Sequence, residues 1–305
     1  MNWYKEYGNE WREIIEVVAG EEHRTTQMVE KDTIQSMFLL GLSKSELPFV
    51  FKGGTSLSKA YALIDRFSED IDLNVQSEKK PSESKRRQLK ANITQIISDL
   101  EFELTNADSI KSRRDYNRYI IDYPSSLSAA YLKEQLIVET AIYQRAYPTK
   151  VMSADSLIYQ YLHENGCGDF IKQYDLEPFT LNVQTAERTM IDKMYALADY
   201  YLLNTTTEHS RHIYDIYKLS EIVTVDDTLK ELALSVAEER RPHKMCLSVQ
   251  NGKNVTEILR EVIDKKTYKE DYDTITVPLL FEAVSYNTAV SALENILQNG
   301  IFDKV

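Results

Sequence analysis

Cysteine is almost absent from this 305-residue chain, with Cys167 and Cys246 the only two. That excludes a disulfide framework and a cysteine zinc cluster, and the chain reads as cytoplasmic. Glycine and proline are also scarce, at 9 and 7, which argues for long helices and few tight turns. No stretch approaches the ~18 uncharged apolar residues of a membrane span. The N-terminal MNWYKEYGNEWREII carries acids where a signal peptide would have an apolar run, so no membrane association is expected. Excess positive charge is lacking too: 36 Lys and Arg against 48 Asp and Glu leave a formal net charge of −12. This argues against a surface coated in base for nonspecific nucleic-acid binding, and DNA is not expected as a partner.

Local basic clusters are nevertheless present. Lys79, Lys80, Lys85, Arg86, Arg87 and Lys90 form one, Arg113, Arg114 and Arg118 a second, and Arg240, Arg241, His243 and Lys244 a third. Such clusters are ordinarily solvated helix or loop faces. The 20 tyrosines belong mostly in or beside a core, though their rings also suit base stacking.

The length allows one large domain or two ordinary ones, and neither internal repeats nor low-complexity segments interrupt it. Apolar spacing predicts helices over residues 11–19 and 29–42, a short buried strand at Phe49-Val50-Phe51, and a turn at Gly53-Gly54. A helix capped by Thr55 or Ser56 follows, through Ala60 and Leu63. Ile71 to Val75 reads as a second strand, and residues 84–100 as a helix with Leu89, Ile93, Ile96 and Ile97 on one face. Residues 102–104, 119–123 and 136–143 are rich in β-branched and aromatic side chains and read as strands. From about Thr185 the pattern is helical, over 186–202, 211–222, 228–239, 256–263 and 278–297. The shift from mixed to helical near residues 175–185 divides the chain into 1–180 and 181–305.

One stretch carries the chemistry: FVFKGGTSLSKAYALIDRFSEDIDLNV, residues 49–75. Side chains two apart on a strand share a face, so Asp70 and Asp72 project together while Ile71 and Leu73 enter the other face. Two carboxylates that close repel unless a cation lies between them or one is protonated. Mg2+ is the hard, oxygen-seeking ion that such a pair would hold together with substrate phosphates. Gly53-Gly54 lets backbone approach a ligand, and the helix behind it offers free N–H groups to an anion. A phosphate cradle and metal carboxylates this close together fit a nucleoside triphosphate. The P-loop pattern is not met, because no Gly-x-x-x-x-Gly-Lys follows the first strand. The plainer alternatives are a tight turn before a helix and charges guarding a sheet edge.

The combination of strand, Gly-Gly-Thr/Ser, helix and Asp-x-Asp strand resembles the DNA polymerase β-type nucleotidyltransferase superfamily. More narrowly, FKGGTSLSKAY followed by RFSEDIDL resembles the AbiEii/AbiGii toxins of type IV toxin–antitoxin and phage-abortive systems. AERTMIDKMYAL (186–197) and SRHIYDIYKL (210–219) are similar to that family's later motifs, and Glu30-Lys31-Asp32 to an earlier one. Residues after Leu219 carry no motif of it. The resemblance implies an α+β fold: a polymerase β-like nucleotidyltransferase domain with a mixed sheet over 1–180, then a helical domain over 181–305 that closes the cleft. It implies Mg2+-dependent transfer of a nucleoside monophosphate from an NTP to an acceptor, the 3′ end of tRNA, with translation blocked and a cognate antitoxin as partner.

Carried over residue by residue, the resemblance has Gly53, Gly54, Thr55 and Ser56 holding the triphosphate and Asp70 and Asp72 binding two metal ions. The superfamily's third carboxylate corresponds best to Glu139 in LIVETAIY, with a salt bridge to Arg145 or another base as the alternative. Lys193 would contact nucleotide phosphates, and Asp192 beside it stands where the family usually has Glu. Asp215 would orient Lys193 or the nucleotide, the alternative being an i,i+4 pair with Arg211. Ser68 should share the face of Asp70, so a phosphate or nucleotidyl group there would obstruct the triphosphate. Lys52 and Arg66 either reach phosphate or lie at the surface. His212 is expected to be a packed polar neighbour of the site. Two rival readings share these residues: transfer to a protein hydroxyl, and a nucleotide- or partner-binding module without turnover.

Overall fold

The computed structural model describes residues 3–77, 81–125, 135–143 and 145–305, the side chains of residues 4–7 excepted. Cα packing divides the chain into two compact units, residues 1–61 with 68–183, and residues 62–67 with 184–305.

The first unit opens with α1 (Trp3–Glu21) and α2 (Thr26–Ser43), followed by β1 (Phe49–Lys52), α3 (Gly53–Lys59), β2 (Asp70–Val75) and α4 (Glu83–Asp99). Then come β3 (Glu103–Leu104), β4 (Tyr116–Asp122), β5 (Gln135–Ala141), β6 (Thr149–Ala154), α5 (Leu157–Glu164), α6 (Gly168–Gln173) and β7 (Phe179–Gln184). The α+β class is the one the sequence implies. Its sheet has seven strands in the order β3-β4-β5-β2-β1-β7-β6. The sheet is mixed: β2 is antiparallel to β1 and parallel to β5, β5 is antiparallel to β4, and β1 is parallel to β7.

Register explains how an acidic pair comes to lie within this sheet. Ile71 pairs with Val138, and Val138 with Tyr119 across the next strand. These residues, with Leu73, Leu136, Ile121 and Phe51, are buried on one face. Alternation then sends Asp70, Asp72, Glu139, Arg118 and Tyr116 to the other face. α4 buries Leu89, Ile93, Ile96 and Ile97, the stripe read from the sequence. α2 meets α4 closely at Gly41, where a Cβ would lie 2.8 Å from Ile96 Cγ2.

The second unit is built from α7 (Ala186–Leu202), α8 (Arg211–Ser220), α9 (Asp227–Arg240), α10 (Val255–Asp264), the short turn α11 (Lys269–Asp271) and α12 (Tyr286–Gln298). Tyrosines fill much of its core. Tyr195, Tyr214, Tyr268 and Tyr272 are fully buried, and burial is tolerable because each hydroxyl is bonded. Tyr195 donates to the Ala233 carbonyl at 2.9 Å, Tyr268 to that of Leu197 at 2.8 Å and Tyr272 to that of Val284 at 3.2 Å. No described helix is long and apolar enough to cross a membrane.

Several elements differ from the sequence expectation. The helix read through Leu63 stops at Lys59, Ala62 is left-handed at φ 48°, and residues 62–67 enter the second unit. There Phe67 N–H bonds the Leu279 carbonyl and Phe281 N–H bonds that of Asp65, each at 3.0 Å. The same pairing shortens the last helix. Residues 277–279 form a 3-10 turn, and α12 begins only at Tyr286, since the chain around Pro278 is committed to 65–67. Gly53 and Gly54, read as a turn, are the first residues of α3. The strands β6 and β7 and the helices α5 and α6 have no counterpart in the sequence reading.

Candidate active site

In the first unit the site begins with a contact between glycine and carboxylate. Gly53 has φ 75°, and a Cβ built on it would lie 1.9 Å from Asp72 Oδ2. The Asp72 carboxylate therefore rests directly on backbone, in a conformation that L side chains resist. Asp72 pairs in register with Lys52 on β1 and with Glu139 on β5.

The entry into β2 is stitched to α3. Thr55 Oγ1 donates to the backbone carbonyl of Asp70 and lies 2.9 Å from Ser68 Oγ. Ser56 Oγ donates to the Gly53 carbonyl at 2.8 Å. Both hydroxyls are buried and already engaged by protein. What Thr55 retains for a ligand is its backbone N–H group, which like those of Gly53 and Gly54 lacks an intrahelical partner, whereas the Ser56 N–H is the first to bond back into the helix, to Lys52. Gln35 Nε2 donates to the carbonyls of Ser68 and Glu69 at 2.9 and 3.1 Å and fixes the loop before β2. Ser68 is half-buried. The far end of α3 is anchored by Lys59, whose buried ammonium bonds Asp32 Oδ1 at 2.5 Å and Ser36 Oγ at 2.8 Å.

Glu139 lies 3.5 Å from Arg118 Nε and accepts a hydrogen bond from the Tyr116 phenol. Arg118 is thus the base beside it, in the place weighed for Arg145. Burial pushes the Glu139 carboxyl above the ordinary range. The Tyr116 hydrogen bond works the other way, Asp72 and Asp70 push it further up, and Arg118 draws it down. Burial likewise raises the Tyr116 phenol, with Glu139 adding to it. Among the described residues no three His, Cys, Asp or Glu side chains are gathered as a ready metal cage. The all-carboxylate donor set of Asp70 and Asp72 suits a hard divalent cation that takes its remaining oxygens from phosphates and water.

The second unit holds a separate buried cluster. Asp215 on α8 is fully buried. Arg66 meets it with a two-pronged contact, Nε to Oδ1 at 2.7 Å and Nη2 to Oδ2 at 2.8 Å. Lys193 on α7 places Nζ 2.7 Å from Oδ2. Burial by itself would raise the Asp215 carboxyl, but Arg66 and Lys193 hold it well below the usual carboxylate range. The two oxygens therefore face Arg66 and Lys193, and the intrahelical pair with Arg211 is not formed. His212 Nδ1 lies 3.5 Å from Lys193 Nζ. Burial, then the Lys193 charge, keeps His212 well below its ordinary pKa and so neutral, as a packed polar neighbour. Asp192 is occupied structurally, by Arg188 Nε at 3.1 Å and Gln184 Nε2 at 3.0 Å.

Of the basic clusters, Lys79 and Lys80 lie outside the described residues. Lys85, Arg86, Arg87 and Lys90 on α4 adjoin the chain leading into β4, with Arg86 Nη1 3.1 Å from the Arg113 carbonyl and 3.0 Å from Asp115 Oδ1. Arg240 in the third cluster is not a surface base: it is buried on Asp199 at 2.7 Å.

Sequence reasoning missed Tyr116, Lys59 and the pairing role of Arg66. Tyr116 could have been found by carrying strand alternation two residues back from Arg118. Arg66–Asp215 spans 149 residues, and no local signal reports it.

A family model described as the nucleotidyl transferase AbiEii toxin of type IV toxin–antitoxin systems matches residues 37–299. Comparison with curated protein sequences gives no match. Among solved structures the chain is similar to MenT4, a nucleotidyltransferase toxin from Mycobacterium tuberculosis H37Rv. The two share 18% identity and a TM-score of 0.58, over 95% of this chain and 90% of that one. At that identity the likeness is one of fold.

Proposed function

The chain belongs to the AbiEii family of nucleotidyltransferase toxins of type IV toxin–antitoxin systems, and from that premise we propose that it moves a nucleoside monophosphate from an NTP to the 3′ end of tRNA, with Mg2+, and so blocks translation. Membership makes an NTP the substrate and an antitoxin the partner. The observation that carries the reading is the Asp70/Asp72 pair on one sheet face with Asp72 seated against Gly53.

Asp70 and Asp72 are the residues that would hold two Mg2+ ions, with Glu139 as third carboxylate once it leaves Arg118. Bound there, Mg2+ supplies charge neutralisation at the triphosphate and activation of the attacking hydroxyl. The backbone N–H groups of Gly53, Gly54 and Thr55 donate to phosphate oxygens, and Ser56 closes the turn behind them through its hydroxyl bond to the Gly53 carbonyl. In the second unit Lys193 serves as a point-charge phosphate binder, and Asp215 orients it. In the transfer, an acceptor oxygen forms a bond to the α-phosphorus, the bond from that phosphorus to the bridging oxygen breaks, and pyrophosphate leaves in line. Tyr116 steadies Glu139 from the next strand. The exposed bases of α4 and the start of β4 guide RNA electrostatically.

The reading extends to Ser68 as a regulatory position. Its hydroxyl is 2.9 Å from that of Thr55, so a phosphate there would put a dianion beside the triphosphate-binding turn. Full activity in a protein carrying stoichiometric phosphate on Ser68 would rule this out.

The test of the main reading is a transfer assay with Mg2+, each α-labelled NTP in turn and total tRNA, run beside Asp70→Ala/Asp72→Ala. Label on tRNA with the unaltered protein only is expected. Label on a protein band in place of RNA would mean a protein hydroxyl is the acceptor. NTP binding without any transfer would favour the non-catalytic module.

A further inference from the structure

We propose that Arg66 is a positioning residue that frees Lys193 to bind phosphate, by staying on Asp215 when Lys193 leaves it. The inference rests on the reading of Lys193 as a phosphate-binding group.

Two cations share one carboxylate here, and they are not equivalent. Arg66 closes a planar fork on both oxygens, at 2.7 and 2.8 Å, and its Nη1 donates to the Phe67 carbonyl at 2.9 Å. A guanidinium matched to a carboxylate in this way is geometrically committed. Its backbone is committed as well. Leu280 pairs with Arg66, and the Asp65 N–H donates to the Tyr214 hydroxyl at 3.0 Å, one residue before Asp215. Lys193 makes a single contact to Oδ2 at 2.7 Å and is the most accessible of the three, 8% exposed at the side chain against 0% for Asp215 and 2% for Arg66. A lysine ammonium on its flexible stem is the member able to swing.

Asp215 makes the difference matter. A carboxylate without solvent contact is held ionised only by a paired cation. Were Lys193 its sole counter-ion, an incoming phosphate would have to leave a buried charge uncompensated, and Lys193 would be trapped. With Arg66 in place, Lys193 can pass from carboxylate to phosphate while the buried pair persists. Arg66, left between phosphate contact and surface by the sequence, does neither.

The experiment titrates inorganic tripolyphosphate in Mg2+ buffer by calorimetry, so that phosphate contact is read without base or turnover. Lys193→Met is expected to weaken binding about tenfold, the scale of a lost charged hydrogen bond. Arg66→Met is expected to weaken it by about as much, because Asp215 then retains Lys193. The decisive variant is Arg66→Lys. It keeps a cation on Asp215 and should bind within about threefold of the unaltered protein. Arg66→Lys as weak as Arg66→Met, or Arg66→Met binding like the unaltered protein, overturns the proposal. Lys193→Met binding like the unaltered protein overturns the Lys193 reading and the proposal with it. If Arg66→Met does not fold by circular dichroism, Arg66→Lys decides, and a tenfold loss in it counts against the proposal.

Discussion

A methyl group added to Gly53 would sit 1.9 Å from Asp72 Oδ2, on a backbone with φ 75°. Gly53→Ala must therefore displace the carboxylate or the first turn of α3. A shift of about 1 Å at a reacting centre costs on the order of 100-fold in rate, while the left-handed conformation adds only about 1–2 kcal/mol of instability. The expected result is a folded protein with transfer activity down by about two orders of magnitude, measured by label incorporation against thermal unfolding. Normal activity would mean that Asp72 is not held where the chemistry occurs. Asp215 poses a different residue-scale question. Its carboxyl titrates below the ordinary value in the folded protein, so the stability it contributes is full above the unfolded value of about 3.9. That contribution is lost as pH falls through the folded value. Asp215→Asn leaves Arg66 and Lys193 without their shared carboxylate and should cost about 3–5 kcal/mol at neutral pH. Below pH ~4 the gap to the unaltered protein should narrow. Parallel stability curves across acid pH would show that Asp215 is not the titrating group.

At the scale of elements, α3 is short and its two ends are held by different means. Thr55 ties the first turn to β2, and Lys59 ties the last to α2 through Asp32 and Ser36. Lys59→Met leaves Asp32 half-compensated and should raise amide exchange across residues 53–59 by about tenfold, with α4 exchange unchanged. Equal exchange in both proteins would reduce Lys59 to a bystander. The sequence announces that a helix starts near Gly-Gly-Thr-Ser but sets it late, since Gly53 and Gly54, read as a turn, are already its first residues. It does not announce the end, since the departure at residue 62 is decided by partners 279–281, far along the chain. The same contrast runs through the fold. α7 was legible to the residue because a Thr cap and a strong apolar period bound it. β7 went unread although it carried a signal, in the alternation Phe179, Leu181, Val183. β6 carried none, since only Ala154 of its residues is buried and no apolar face is needed there. The acid pair was readable by alternation alone, whereas Glu139 against Asp72 depends on which strands become neighbours, and register is not written in one segment.

Across the whole molecule, a net charge of −12 coexists with bases gathered on α4 and ahead of β4. Arg113 and Arg87 are largely free of packing, at 89% and 68% side-chain exposure. Arg87 also sits 2.8 Å from Glu83, an exposed pair that contributes little to stability. On the proposed reading these bases would be available to an RNA backbone at small structural cost, and the acidic remainder would repel it elsewhere. Charge reversal separates that field from the chemistry. Arg87→Glu/Arg113→Glu should weaken tRNA binding and flatten the dependence of log affinity on log salt by about 1–2 units, as expected for two phosphate contacts at roughly 0.7–0.9 each. NTP binding should be unaffected, since neither residue adjoins Asp70, Asp72 or Gly53 in register or sequence. A Lys253→Glu control, on the helical unit, should leave the slope alone. If the double reversal lowers tRNA affinity without changing the slope, the arginines act by shape and not as phosphate partners. If neither moves, RNA enters by another face, and the acidic total, not the basic clusters, describes how this surface meets RNA.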